Sequence, residues 1–209
     1  MYNFTITRNN FLRTRNVLGY FHQYYTGFGQ PDNPQFILTL KNTFNGESIT
    51  ALRNAKKNVI DILLSDLPQI IEINNFTNCM CICVPRAKTE SNYVNNQLLF
   101  KDAVKIATSQ MNGVIDGTDT IIRVENTFTT HLSKATREGK VTNDGEEPYP
   151  GITVDTCRID KFKIMGKNII LIDDIYTKNI NIDEDCIQAL FNNGAKNIIY
   201  YSIGYTRRN

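Results

Sequence analysis

Residues 169–203 constrain this chain more than any other stretch. Ile169-Ile170-Leu171-Ile172 is a continuous apolar run without alternation, the pattern of a strand buried on both faces. It ends in Asp173-Asp174. A polar turn follows. Residues 182–192 then place Ile187, Leu190 and Phe191 at helical spacing, Asn193-Gly194 supplies a C-cap, and residues 197–203 read as the next strand. A strand–turn–helix–strand unit of this length implies neighbouring parallel strands, hence an α/β fold with a parallel sheet flanked by helices. Ligands of such sheets sit beyond the carboxyl ends of the strands, where Asp173 and Asp174 fall.

Upstream signals fit the same class. Cys79-Met80-Cys81-Ile82-Cys83-Val84 reads as a second buried strand, ended by Pro85. Helices are predicted over residues 47–67, closed by Pro68, and over 97–110; residues 120–124 form a short strand. Residues 36–40 are an apolar run of either type. The first 45 residues are aromatic and turn-rich, with Tyr20, Phe21, Tyr24, Tyr25 and Phe28, and are expected to form an irregular extension ahead of one domain over residues 46–209. That aromatic surface is expected to serve packing or a dimer contact rather than base stacking. Residues 126–155 are polar and rich in glycine and proline, and a structureless stretch of this length is usually functional or disordered.

Length and charge narrow the function classes. A chain of 209 residues suits one α/β domain. The formal net charge of +2 offers no broad basic surface, so nucleic acid is not implied as a partner. No apolar run approaches the roughly 18 residues that span a bilayer, and MYNFTITRNN has no signal-peptide core, so a soluble, cytoplasmic protein without a membrane partner is expected. Five cysteines, an odd count without a secretion signal, are expected to be free thiols. Cys79, Cys81 and Cys83 alternate as one strand face does; structural zinc prefers CxxC-like pairs, and no metal held directly by protein side chains is assigned.

The chemistry centres on the acidic pair. Two adjacent carboxylates at the end of a buried strand repel each other and lose solvation, so they need hydroxyl donors or cations. A vicinal diol is a natural partner, and the turn that opens the next helix suits a phosphate through its N–H groups and dipole. Plainer readings exist for each residue: Asp173 and Asp174 as capping acids, Thr177 as an N-cap, Arg86 and Lys88 as solvated rim charges, and His131 as a loop residue.

The residues from Ile169 to Thr177 resemble the first nine positions of the phosphoribosyl-pyrophosphate (PRPP) motif of type I phosphoribosyltransferases. Within that class the chain is most similar to the ComF-like group (competence protein F). Leu38-Thr39-Leu40-Lys41 is similar to the group's leading Leu-Lys segment, and Val84-Pro85 with Gln97-Leu98-Leu99 to its Val-Pro strand end and helix. Arg123, Thr127, Leu132-Ser133 and Arg137 are similar to its Arg, Thr and Leu-Ser-x-x-x-Arg pattern. The likeness runs from about residue 36 to 205. The family's Thr-Thr-Gly-x-Thr loop is here Thr177-Lys178-Asn179-Ile180-Asn181, and Asn179 is the non-glycine residue that best tolerates a left-handed backbone. The glycine after the Val-Pro strand and the group's preceding cysteine-rich segment are absent.

The resemblance implies a type I phosphoribosyltransferase-like (Rossmann-like) fold. It places the PRPP ribose diol on Asp173 and Asp174 as catalytic residues. The 5′-phosphate falls on Tyr176, Thr177, Lys178, Asn179, Ile180 and Asn181, and the pyrophosphate with Mg²⁺ near Pro85, Arg86, Ala87 and Lys88. Residues 126–155 become a mobile hood, with Arg123, Thr127, Ser133 and Arg137 as its signature. The implied activity is transfer of phosphoribosyl to a nitrogen acceptor, in a homodimer. The alternatives are a binding module that senses PRPP or a nucleotide without turnover, and an accessory protein in DNA uptake or processing. The acceptor is not legible, because it contacts the most variable regions of such a fold.

Overall fold

A computed structural model describes residues 1–27, 30, 33–128 and 151–207. Strands β1 (Tyr2–Ile6) and β2 (Val17–Tyr25) lead to helices α1 (Gln35–Lys41) and α2 (Ile49–Ile73). Next come β3 (Cys79–Cys83), α3 (Leu99–Ser109), β4 (Val114–Asp116) and β5 (Ile121–Arg123). The chain closes with β6 (Cys157–Ile159), α4 (Lys161–Ile164), β7 (Asn168–Tyr176), α5 (Ile182–Asn192) and β8 (Asn197–Thr206).

One six-stranded sheet has the order β1-β2-β8-β7-β3-β4, parallel throughout except for β1 at the edge. The apolar strands take its centre. All five residues of β3 are buried, and Cys79, Cys81 and Cys83 pack with α2 and α3 while Met80 and Ile82 pack into the opposite cluster. In β7, Ile170 and Ile172 face the first cluster, Ile169 and Leu171 the second. This is why neither run alternates with polar residues. The five cysteines are buried and free. No helix among the described residues is long and apolar enough to cross a membrane.

The segment expected to be irregular instead supplies β1 and β2, and β2 pairs in parallel with β8. Residues 36–40 lie in α1. The helix expected to stop at Pro68 runs on to Ile73 with Pro68 inside it. Leu63, Leu67 and Ile70 are fully buried on both sides of the proline. Their packing outweighs the hydrogen bond and clash that an interior proline costs. Pro68→Ala should therefore stabilise the protein by about 1–2 kcal/mol, the helix gain less the loosened unfolded chain. Urea unfolding checks this, and a loss of stability would refute it.

The crossovers fix where a ligand can lie. From β3 the chain passes through α3 to β4 on one side; from β7 it passes through α5 to β8 on the other. Ala103, Val104 and Ala107 of α3 belong to one apolar cluster, and Cys186, Ile187 and Leu190 of α5 to the opposite one. Helices on opposite faces are what right-handed crossovers in opposite directions require. Adjacent β3 and β7 are thus the switch point of a doubly wound sheet, and such sheets bind their ligands in the crevice beyond those carboxyl ends.

Candidate functional site

Asp173 and Asp174 lie within the last four residues of β7, at that crevice. The strand continues through them to Tyr176 rather than ending at Ile172. The carboxylates turn to different partners. Asp174 Oδ2 is 3.0 Å from Lys41 Nζ, on the last residue of α1. Asp173 Oδ1 accepts the Asp174 backbone N–H at 2.8 Å, and its side chain meets Asp183 in the first turn of α5. Burial, then the Asp174 charge, push the Asp173 carboxyl up to about 7, against the pull of Lys41. For Lys41, burial works against the charge, but Asp174 and Asp173 outweigh it and hold the ammonium above the ordinary lysine value.

The expected phosphate turn divides into parts. Tyr176 does not belong to it: its ring is buried, 4.8 Å from that of Phe4 and 5.4 Å from that of Tyr205, and its hydroxyl donates to Glu184 Oε1 at 2.8 Å. Thr177 Oγ1 lies 2.6 Å from Thr206 Oγ1, pinning the turn to β8. Asn179 and Asn181 have φ of 73° and 66°, the left-handed backbone that asparagine tolerates in place of glycine. Asn181 stands at the N-cap of α5, but its side chain does not cap: Oδ1 accepts from Asn9 Nδ2 at 3.1 Å, and Nδ2 donates to the Asn179 carbonyl at 3.2 Å. Ile180 N donates to the Thr177 carbonyl at 3.2 Å, and Lys178 is exposed. Asp183, Glu184 and Asp185 fill the first turn of α5. These acids already use the positive end of the helix, so an anion must rely on the backbone of 177–181 and on Lys41 and Lys178.

Across the crevice, Val84 N donates to the Ile172 carbonyl at 3.0 Å, holding the end of β3 against β7. Pro85, Arg86, Ala87 and Lys88 follow. Arg86 is not a solvated rim charge. Its guanidinium lies 4.3 Å from the Tyr93 ring centroid and donates to the carbonyls of Gln97 and Lys41. Lys88 N donates to the Tyr93 hydroxyl at 3.3 Å. Arg123 is also a tether: it is buried, and it donates to the Arg86 carbonyl at 3.0 Å and the Gly151 carbonyl at 2.5 Å. Thr127 bonds the Ala87 carbonyl through N at 2.7 Å and Oγ1 at 3.1 Å. Residues 85–88, Arg123 and Thr127 therefore form one bonded assembly beside the acidic pair. Ser133, Arg137, His131 and most of the expected hood lie outside the described residues.

Sequence reading missed the roles of Lys41, Asp183 and Glu184. An acid in the first turn of a helix is an ordinary start signal, so Asp183 carried no distinguishing mark. Among the described residues no group of three His, Cys, Asp or Glu side chains converges to hold a metal ion.

No protein-family model matches the chain, and no curated protein matches its sequence. The chain is an α/β protein with a mostly parallel six-stranded sheet flanked by helices, an arrangement compatible with a Rossmann-like fold, and it carries an acidic pair at the switch point.

Proposed function

We propose that the crevice binds a ribose 5-phosphate moiety, as PRPP or a related nucleotide, and that the protein transfers phosphoribosyl to a nitrogen acceptor with release of pyrophosphate. One observation carries the binding reading: adjacent carboxylates at the carboxyl end of β7, at the switch point, followed by a turn with two left-handed asparagines. The ribose hydroxyls donate to Asp173 and Asp174, the 5′-phosphate takes the backbone of 177–181, and the diphosphate lies towards residues 85–88. Lys41 then shifts from Asp174 towards phosphate oxygen. Pyrophosphate departs and the acceptor nitrogen attacks C1; the chain contributes position and charge.

A second reading, binding without turnover, is favoured by two observations: Lys41 already neutralises Asp174, and Arg86 is committed to carbonyls. Calorimetry with PRPP, ribose 5-phosphate and nucleoside monophosphates, with and without Mg²⁺, tests the binding. Asp174→Asn should weaken it by about 1–3 kcal/mol, the worth of a charge-assisted hydrogen bond. Wild type that binds none of these ligands refutes the sugar-phosphate reading. Binding of PRPP without pyrophosphate release across bases and amines selects the second reading.

A further inference from the structure

Beneath Asp173 lies a set of polar groups that the ribose reading leaves unused. Asp183 and Glu184 are 4% and 3% exposed, and Tyr200 and Ser202 of β8 are fully buried. Ser202 sits in register beside Asp173. Four atoms here have no hydrogen-bond partner: Asp183 Oδ1, Glu184 Oε2, Tyr200 Oη and Ser202 Oγ. Such orphans are rare in folded proteins and call for an explanation.

We infer that Asp173 and Asp183 form a proton-sharing carboxyl pair, and that a ligand whose hydroxyls donate to Asp173 expels the shared proton. The second clause rests on the ribose reading; the first does not. Asp183 is buried and Asp173 half-buried, and two such carboxyl groups in contact disfavour double ionisation, so a proton shared between them is the favoured arrangement. The groups facing Asp173 offer no substitute for it. They are Asp174 on β7, Lys41 on α1, Asp183 and Cys186 on α5, Tyr200 on β8 and Cys83 on β3, with Glu184 and Tyr176 beside Asp183. Lys41 is the one cation among them and is paired with Asp174. Burial and the Asp174 charge raise Asp173, burial and the Asp173 charge raise Asp183, and the contact between the two pulls Asp173 down and Asp183 up, as a proton held chiefly on Asp183 and shared with Asp173 would.

The orphaned hydroxyls complete the account. Ser202 Oγ and Tyr200 Oη can each rotate a proton towards a carboxylate oxygen. The Tyr200 hydroxyl already leans towards Asp183, and both hydroxyls are donors for the charge left when the bridging proton leaves. Asp183 is thus a positioning residue that acts through Asp173: it holds the bridging proton beside Asp173 and ties ligand binding to proton release.

Two measurements test this. In ligand-free wild type, a ¹³C carboxyl titration should show the Asp173–Asp183 pair losing a proton near neutral pH. Titration of both groups in the ordinary carboxylate range overturns the pair, whatever the protein binds. Calorimetry of ribose 5-phosphate in buffers of different ionisation enthalpy, at about pH 6, should then show wild type releasing up to roughly one proton per ligand more than Asp183→Asn. The ligand's own phosphate titration cancels in that difference. Binding with equal proton counts in the two proteins overturns the linkage. Failure of wild type to bind removes the ribose reading and the linkage together, while the titration still decides the pair.

Discussion

Replacing Arg123 with alanine is expected to cost about 3 kcal/mol or more of stability, the worth of two hydrogen bonds from a charged donor. The guanidinium is 5% exposed and bridges two segments distant in sequence, the Arg86 carbonyl after β3 and the Gly151 carbonyl before β6. Removing it takes a charged donor from the part-buried Arg86 carbonyl, leaves the buried Gly151 carbonyl to Thr156 Oγ1, and opens a cavity where the side chain was. Arg123→Lys should not rescue the protein, because a single ammonium cannot reproduce two donors set at a fixed angle. Function should suffer with stability, since Arg86 and Ala87 sit opposite Asp173 and Asp174 and are held there by Arg123 and Thr127. Urea unfolding measures the loss, and amide exchange at Thr127 locates it. A loss under about 1 kcal/mol would show that the two carbonyls find other donors and that Arg123 is no tether.

The central strands were legible because their burial on both faces suppresses alternation, and Cys79 to Cys83 and Ile169 to Ile172 show it plainly. The crossover α5 was legible for the opposite reason, an apolar stripe with a glycine after its end. β2 was not. It carries Gly19, which in a strand reads as a breaker, yet the Phe4 ring stands 2.6 Å from where a Cβ would be. The glycine admits a neighbouring ring; it does not mark a turn. β1 buries only Ile6 and gives almost no pattern. Pro68 misled for a related reason: local propensity argued for a stop, and the buried face of α2 overrode it. At the site, Asp173 and Asp174 could be found because they interrupt an apolar run. Their partners could not, because Lys41 and Asp183 come from elements whose placement depends on the whole sheet. Arg123 and Thr127 stood out as a pattern, but only their bonds to Arg86, Ala87 and Gly151 give them roles.

Stability should fall as pH rises from about 4 to about 7, the reverse of ordinary acid denaturation. An aspartate with the ordinary value of 3.8 loses its proton early in this range, whereas folded Asp173 holds its own up to about 7. Between these values the folded chain binds a proton that the unfolded chain has released. Each such proton lowers the unfolding free energy by about 1.4 kcal/mol per pH unit as pH increases. The stabilisation is complete below the unfolded value and gone above the folded one. Asp185 is raised as well, mainly by burial, and adds to the slope. Asp66 and Asp119 oppose it. Burial would raise Asp66, but the His22 and Tyr201 hydrogen bonds hold it below the usual carboxylate range, and Lys101 does the same for Asp119. Their contribution is present above that range and is lost on acidification below about pH 4, so stability should peak just above that point. Asp173→Asn removes the main titrating group and keeps the shape, so it should flatten the profile and leave the variant more stable than wild type at neutral pH. Denaturant unfolding of both proteins at several pH values decides it. A wild-type profile that is flat or rises from pH 4 to 7, or a variant that keeps the wild-type slope, would show that Asp173 is ionised in the folded chain and met by donors in the crevice.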